Sequence, residues 1–217
     1  MFDAATARRM MVDGQVRTAD VTNPELIAAM LAVPRERFVP AALAEQAYLD
    51  SDIPIGEGRA LIKPMVLAKL LQAARVRRDD HVLDVGCGTG YSCAVLSRLA
   101  GAVVGLEENA ALAQQAREAL GAIGAAGVTI VTGPMNAGSS AAAPYDLILL
   151  DGATEIVPET LGRQLKPDGR LVCVFGGAPP GKAMLYRVIE RQLVGRPIFD
   201  AGAPVLPGFV AQPAFVF

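Results

Sequence analysis

The segment Gly86-Cys87-Gly88-Thr89-Gly90 lies between the apolar run His81-Val82-Leu83-Asp84-Val85 and a helix-forming stretch that begins at Tyr91, and it constrains this chain more than any other segment. Three glycines in five residues let the backbone turn sharply from a buried strand into a helix and approach a ligand closely, which a Cβ atom would hinder. A strand, a glycine turn and a helix in that order form a unit of an α/β fold, with a nucleotide-like ligand expected at the turn.

Two acids narrow the ligand. Asp84 stands two residues before the first glycine, and Glu107 closes the next apolar run, Ala102-Val103-Val104-Gly105-Leu106. That is roughly 20 residues further on, the spacing of an acid that binds ribose hydroxyls. An acid at the strand end repels the pyrophosphate of a dinucleotide and attracts an ammonium or sulfonium. The turn also reads G-x-G-x-G, because Tyr91 stands where G-x-G-x-x-G requires its third glycine. These features favour S-adenosylmethionine and rank an NAD-dependent oxidoreductase last. They mark Asp84, Gly86, Cys87, Gly88, Gly90, Tyr91, Glu107 and the adjacent Glu108 as cofactor-binding candidates. A cap on the following loop is the competing role for Asp84.

With 217 residues the chain can bury one α/β core with a small appendage. Its 20 basic and 22 acidic residues give a net charge of −2, which does not suggest a nucleic-acid surface. Cys87, Cys93 and Cys173 have no paired spacing, and His81 is the only histidine, so neither a metal site nor a disulfide framework is expected. No stretch reaches the roughly 18 apolar residues of a spanning helix, and the expectation is a soluble cytoplasmic protein. Hydrophobic residues make up 52 %, but alanine-rich segments alternate with polar positions as in packed helices.

Periodicity places helices at Arg8 to Thr18, with Met10, Met11 and Val16 inward, from Asn23-Pro24 through Leu31, and from Pro64 to about Arg75 on Leu67, Leu70, Leu71 and Ala74. Strands are expected at Val82–Val85, Val103–Leu106, Val128–Val131, Leu147–Leu150 and Leu171–Phe175, and helices at Tyr91–Leu99, Ala110–Leu120 and Glu159–Leu165. That alternation predicts a parallel sheet. Lys166-Pro167-Asp168-Gly169-Arg170 reads as a turn with Gly169 left-handed, and Pro204 to Phe217 as an edge strand or hairpin. Asp151 follows an apolar strand, where it is either a ligand acid or a helix cap.

Met11-Val12-Asp13-Gly14-Gln15, Val33-Pro34-Arg35-Glu36-Arg37-Phe38-Val39-Pro40, Ala47-Tyr48-Leu49-Asp50, Pro54-Ile55-Gly56, Val82 to Tyr91 and Gln164 to Val172 occur in one order. That order resembles the protein-L-isoaspartate O-methyltransferases, and the likeness extends from about Met10 to Gly176. The resemblance implies an α/β class I S-adenosylmethionine-dependent methyltransferase fold, Rossmann-like, with a mostly parallel seven-stranded sheet and N-terminal accessory helices. Residues 1–63 would form the helices and acceptor-side lead-in, and 64–217 the core. It also implies methyl transfer to the free α-carboxylate of an L-isoaspartyl residue, the partner being a protein or peptide and the chain a monomer or weak dimer. A non-catalytic S-adenosylmethionine-binding protein is the alternative.

Family members carry a segment similar to G-Q-T-I-S-Q-P-Y where this chain has Gly58-Arg59-Ala60-Leu61-Ile62-Lys63-Pro64-Met65. Ala60 and Ile62 replace the two hydroxyl residues, which leaves Arg59, Ile62 and Lys63 as acceptor-side candidates. Arg59 and Lys63 are either carboxylate-recruiting cations or solvated side chains of a turn. Gly133-Pro134 stands where the family has G-D-G beside the adenine, and Asp151-Gly152-Ala153 where it has a T-A-A-like run.

Overall fold

The computed structural model describes residues 2–176, 181–190 and 192–212. An N-terminal helical lead-in comprises α1 (Ala4–Met11) and α2 (Pro24–Ala32), followed by the hairpin β1 (Ile53–Gly56) and β2 (Arg59–Leu61). The core then runs α3 (Pro64–Ala74), β3 (His81–Val85), α4 (Tyr91–Leu96), β4 (Ala102–Glu107), α5 (Ala110–Ala122) and β5 (Val128–Thr132). It continues through β6 (Tyr145–Thr154), α6 (Glu159–Gly162), β7 (Leu165–Phe175), β8 (Lys182–Ile189) and β9 (Gln192–Asp200).

Seven strands form one sheet in the order β5-β4-β3-β6-β7-β8-β9, parallel from β5 to β7, with antiparallel pairing of β7 to β8 and β8 to β9. Side chains alternate between two apolar clusters. Val82, Leu147, Leu149, Val172 and Val174 face one, and Leu83, Val85, Ile148, Leu150, Leu171 and Cys173 face the other. Burial on both faces explains why these strands read as continuous apolar runs. The chain moves outward from β3 to β5, then returns to β6 on the other side of β3. A crevice therefore opens at the carboxyl ends of β3 and β6, where open α/β sheets hold ligands.

The three-helix pattern expected around Met10, Pro24 and Pro64 holds in outline. Leu67, Leu70, Leu71 and Ala74 are all buried on α3, and Pro24 opens α2 behind the Asn23 cap. The first helix is shorter than its periodicity suggested. After Met11 the backbone widens into a π turn over Val12–Val16 and a 3₁₀ turn over Arg17–Ala19. This change of pitch brings Met11, Val12 and Val16 inward and leaves Met10 68 % exposed, correcting the inward placement of Met10.

Further corrections concern segments whose partners are distant. The helix expected through Leu165 stops at Gly162, the one expected through Leu99 stops at Leu96, and β7 begins at Leu165. Lys166 to Arg170 folds back as a turn at the start of β7, as expected, but Gly169 does not take the left-handed conformation. It is needed for close approach, since a Cβ there would lie 2.9 Å from Leu165 Cβ and the Lys166 carbonyl. The hairpin β1–β2 and strands β8 and β9 had no assignment from periodicity. Residues 204–212 form neither edge strand nor hairpin but a loop with one bridge, Ala153 to Val205; residues 213–217 of that expectation lie outside those described. Among the described residues no helix is long and apolar enough to cross a membrane.

Candidate active site

The glycine turn has the geometry its composition demands. Gly86, Gly88 and Gly90 all adopt positive φ, at 77°, 53° and 94°. A Cβ on Gly88 would meet Ile55 Cδ1 at 2.6 Å, so the β1–β2 hairpin packs a side chain directly against the turn. The amides of Gly86 and Cys87 both donate to the Leu106 carbonyl, which fixes the turn against the end of β4.

Three acids converge here. Asp84 is the penultimate residue of β3, Asp151 lies near the end of the adjacent β6, and Glu107 ends β4; all are buried. Asp84 Oδ2 accepts from Cys93 Sγ at 3.1 Å, whereas Asp84 Oδ1 and Asp151 Oδ1 are buried without a hydrogen-bond partner. Ser92 Oγ stands beside both carboxyls without completing a bond. Desolvation raises both acids above the ordinary carboxylate range, and each repels charge on its neighbours; Asp84 is pushed up to about 8, with the charge of Asp151 the second cause. Two carboxyl oxygens at adjacent strand ends are thus buried without a partner.

Glu107 is fully bonded. Arg59 Nη1 donates to its two oxygens at 3.0 and 2.8 Å, the Gly88 amide donates to Oε2 at 2.9 Å and the Asn109 amide to Oε1 at 3.1 Å. Arg59 Nη2 also donates to the Gly86 carbonyl at 2.7 Å. The loop after β9 covers the turn from above. Leu206 packs where a Cβ of Gly86 or Gly152 would sit and is held by its amide bond to the Ala153 carbonyl at 2.9 Å.

The other candidates fall around this centre. Cys87 is buried, with Sγ against Gly105, and Gly133 donates to the Glu107 carbonyl at 3.2 Å. Pro134 is exposed after β5, and Glu108 points outward. Ile62 is buried in the larger apolar cluster, while Lys63 is half-buried at the start of α3 with its amide bonded to Asp52 Oδ1 at 2.9 Å. Tyr91 is buried under the guanidinium of Arg35, 4.6 Å from its ring centroid, and edge-on to Phe38 at 5.7 Å.

Arg35 was not among the expected site residues. It bonds the Ala47 and Ile62 carbonyls at 2.7 and 2.8 Å and so ties the acceptor-side segment to α4. The signal was its place in the Val33 to Pro40 block. Asn109 was legible as a helix cap two residues after Glu107, whereas nothing in the local pattern pointed to Leu206.

The sheet order, the glycine turn at its switch point, an acid near the end of β3 and another ending β4 define a class I S-adenosylmethionine-dependent methyltransferase. The family model described as protein-L-isoaspartate(D-aspartate) O-methyltransferase matches residues 7–192, and the chain belongs to that family. It is 43 % identical over 199 residues to the protein-L-isoaspartate O-methyltransferase of Methylorubrum extorquens (strain PA1), covering 92 % of this chain and 85 % of the relative. Identity to that of Methanoregula boonei is 39 % over 176 residues, 81 % of each.

A solved protein-L-isoaspartate O-methyltransferase superposes with a TM-score of 0.79 at 24 % identity, covering 93 % of this chain and 66 % of the other. A Plasmodium falciparum structure described as a putative enzyme of the same kind, in complex with S-adenosyl-L-homocysteine, gives 0.78 at 16 % identity over 95 % and 99 %. At these identities the two structures bear on the fold alone.

Proposed function

We propose that the chain binds S-adenosylmethionine at the glycine turn and directs its methyl group to the free α-carboxylate of an isoaspartyl residue in a protein or peptide. The observation that carries the cofactor assignment is the pair of buried, unpartnered acceptors Asp84 Oδ1 and Asp151 Oδ1 beside Gly86, which suit a ligand ammonium. Glu107 suits the ribose hydroxyls, and Gly133-Pro134, after the next strand, lies on the side where adenine would extend. When bound, the cofactor supplies an electrophilic methyl group. A carboxylate acceptor is already ionised at neutral pH, so the protein has no proton to remove and contributes orientation and exclusion of water. Arg35 and Leu206 serve those ends by bracing the acceptor-side segment and covering the turn.

A non-catalytic cofactor-binding protein is the second reading, favoured by Ala60 and Ile62 in place of hydroxyl residues. Incubation with methyl-labelled S-adenosylmethionine and an isoaspartyl peptide separates the two. Label in the peptide as a base-labile ester supports the enzyme; binding without transfer supports the second reading. We place the protein in the cytoplasm as a monomer or weak dimer, in keeping with three buried free cysteines.

The Asp84 assignment predicts a ligand and pH signature. Asp84→Asn should weaken S-adenosylhomocysteine tenfold or more, a charged hydrogen bond being worth about 1.5–3 kcal/mol. Methylthioadenosine lacks the ammonium and should be affected much less. Because burial raises both acids, the proton competes with the ligand cation, so affinity for S-adenosylhomocysteine should rise as pH increases from about 6 to about 8. The sign for stability is opposite. Between 3.8 and about 8 folded Asp84 keeps a proton that the unfolded chain releases, so its contribution falls as pH rises through that window. Calorimetric titrations at several pH values check both; equal losses for the two ligands would reduce Asp84 to a loop cap.

A further inference from the structure

A carboxylate offers about four lone-pair positions, and Glu107 receives four hydrogen bonds: two from Arg59 Nη1, one from the Gly88 amide and one from the Asn109 amide. The two amides are fixed, one by the glycine turn and the other at the cap of α5. Only Arg59 can leave. It sits on β2, in a hairpin whose turn Gly56-Glu57-Gly58 has positive φ throughout, with no atom within 4 Å of where a Cβ on either glycine would lie. The hairpin tip is held by an exposed bond at 3.3 Å, from Asn109 Nδ2 to Glu57 Oε2.

We propose, resting on the cofactor reading above, that Arg59 is an internal occupant of Glu107 which the cofactor ribose displaces, and that the released guanidinium then holds a carboxylate. A ribose diol can bond Glu107 only where the guanidinium now lies. A displaced guanidinium cannot stay buried without an anion, and Asp84 and Asp151 are committed to the cationic end of the cofactor. The planar fork of arginine matches a carboxylate, and Arg59 lies three residues before Ile62 on the strand that leads into the acceptor-side segment. Two carboxylates are within the chemistry of the site: that of the cofactor's amino-acid end and that of the acceptor.

The test titrates the full chain and Arg59→Gln with methylthioadenosine, which carries the ribose but no carboxylate. Arg59→Gln should bind it tenfold or more tighter than wild type, since the competitor is gone and nothing is lost. Unchanged or weaker binding overturns the proposal. S-adenosylhomocysteine then identifies the source. If its own carboxylate takes Arg59, the gain seen with methylthioadenosine disappears. If the acceptor takes it, the gain persists, and an isoaspartyl peptide binds the S-adenosylhomocysteine complex of the wild type but not of Arg59→Gln. A persistent gain with peptide binding unaltered overturns the carboxylate role. Should Arg59→Gln not fold by circular dichroism, Arg59→Lys keeps a cation that cannot span Glu107 and the Gly86 carbonyl, and it should tighten methylthioadenosine severalfold; no tightening overturns the proposal. Failure of the wild type to bind any of these ligands removes the cofactor reading itself, whereas binding that Arg59 variants leave unchanged removes only the displacement.

Discussion

Methyl transfer to an isoaspartyl peptide by the wild-type chain is expected to run below about 10⁻² s⁻¹, roughly two decades or more under a common enzyme rate. The reason is Ala60 and Ile62. A hydroxyl that orients the acceptor carboxylate acts by positioning, and a misplacement of about 1 Å from the line of attack costs about two orders of magnitude in rate. A guanidinium such as Arg59 can hold the acceptor carboxylate, but by neutralising it also makes it a weaker nucleophile. Ala60→Thr with Ile62→Ser should therefore raise the rate.

The two substitutions are not equivalent. Ala60 is partly exposed on β2, facing away from Arg59 and Leu61, so threonine fits there and suits a strand. Ile62 is 2 % exposed within the larger apolar cluster, and serine there would cost about 2–5 kcal/mol in lost packing. Ala60→Thr alone is thus the safer variant, and unfolding curves should precede the rate measurements. Wild-type turnover at or above about 10⁻² s⁻¹ would show that the family hydroxyls are dispensable in this site.

Glu107→Ala is expected to destabilise the fold by about 3–5 kcal/mol, because it leaves the Arg59 guanidinium buried without its anion. The side chains of this pair are 5 % and 0 % exposed, so screening by solvent does not dilute the effect as it would at the surface. Replacing both partners, as in Arg59→Met with Glu107→Ala, should recover most of the loss, since apolar groups need no counter-charge. Denaturant unfolding of the two single variants and the double variant measures this directly. A cost under about 1 kcal/mol, within the range of exposed pairs, would mean that the pair does not form in solution. Cofactor affinity should fall only about tenfold, at the low end for a charged hydrogen bond, because the wild type must already break the Arg59 pair to bind.

Much of this site was legible in the sequence because its determinants are local. Conformational freedom at Gly86 and Gly88, a strand buried on both faces, and acids at or next to the ends of β3 and β4 are each properties of a few consecutive residues. They are enough to place the turn, the two acids and the parallel core. The Val33 to Pro40 block and the ordered motifs around it identified the family, although why that block matters appeared only when Arg35 was found stacked on Tyr91.

What the tertiary structure alone decided involves partners distant in sequence. Arg59 and Glu107 are 48 residues apart, and no spacing rule links a hairpin arginine to the acid ending β4. Leu206 reaches Gly86 only because its loop crosses the end of β6. The turn at Gly169 was legible, but its conformation was not, since the glycine serves a close approach to Leu165 rather than a positive φ, and the last two strands lack a clean alternation because β9 is largely exposed at the sheet edge. Sequence determined which groups can bind a cationic nucleoside. Folding decided which of them the protein already bonds to itself, because buried charges must find partners and only the three-dimensional arrangement says which are within reach.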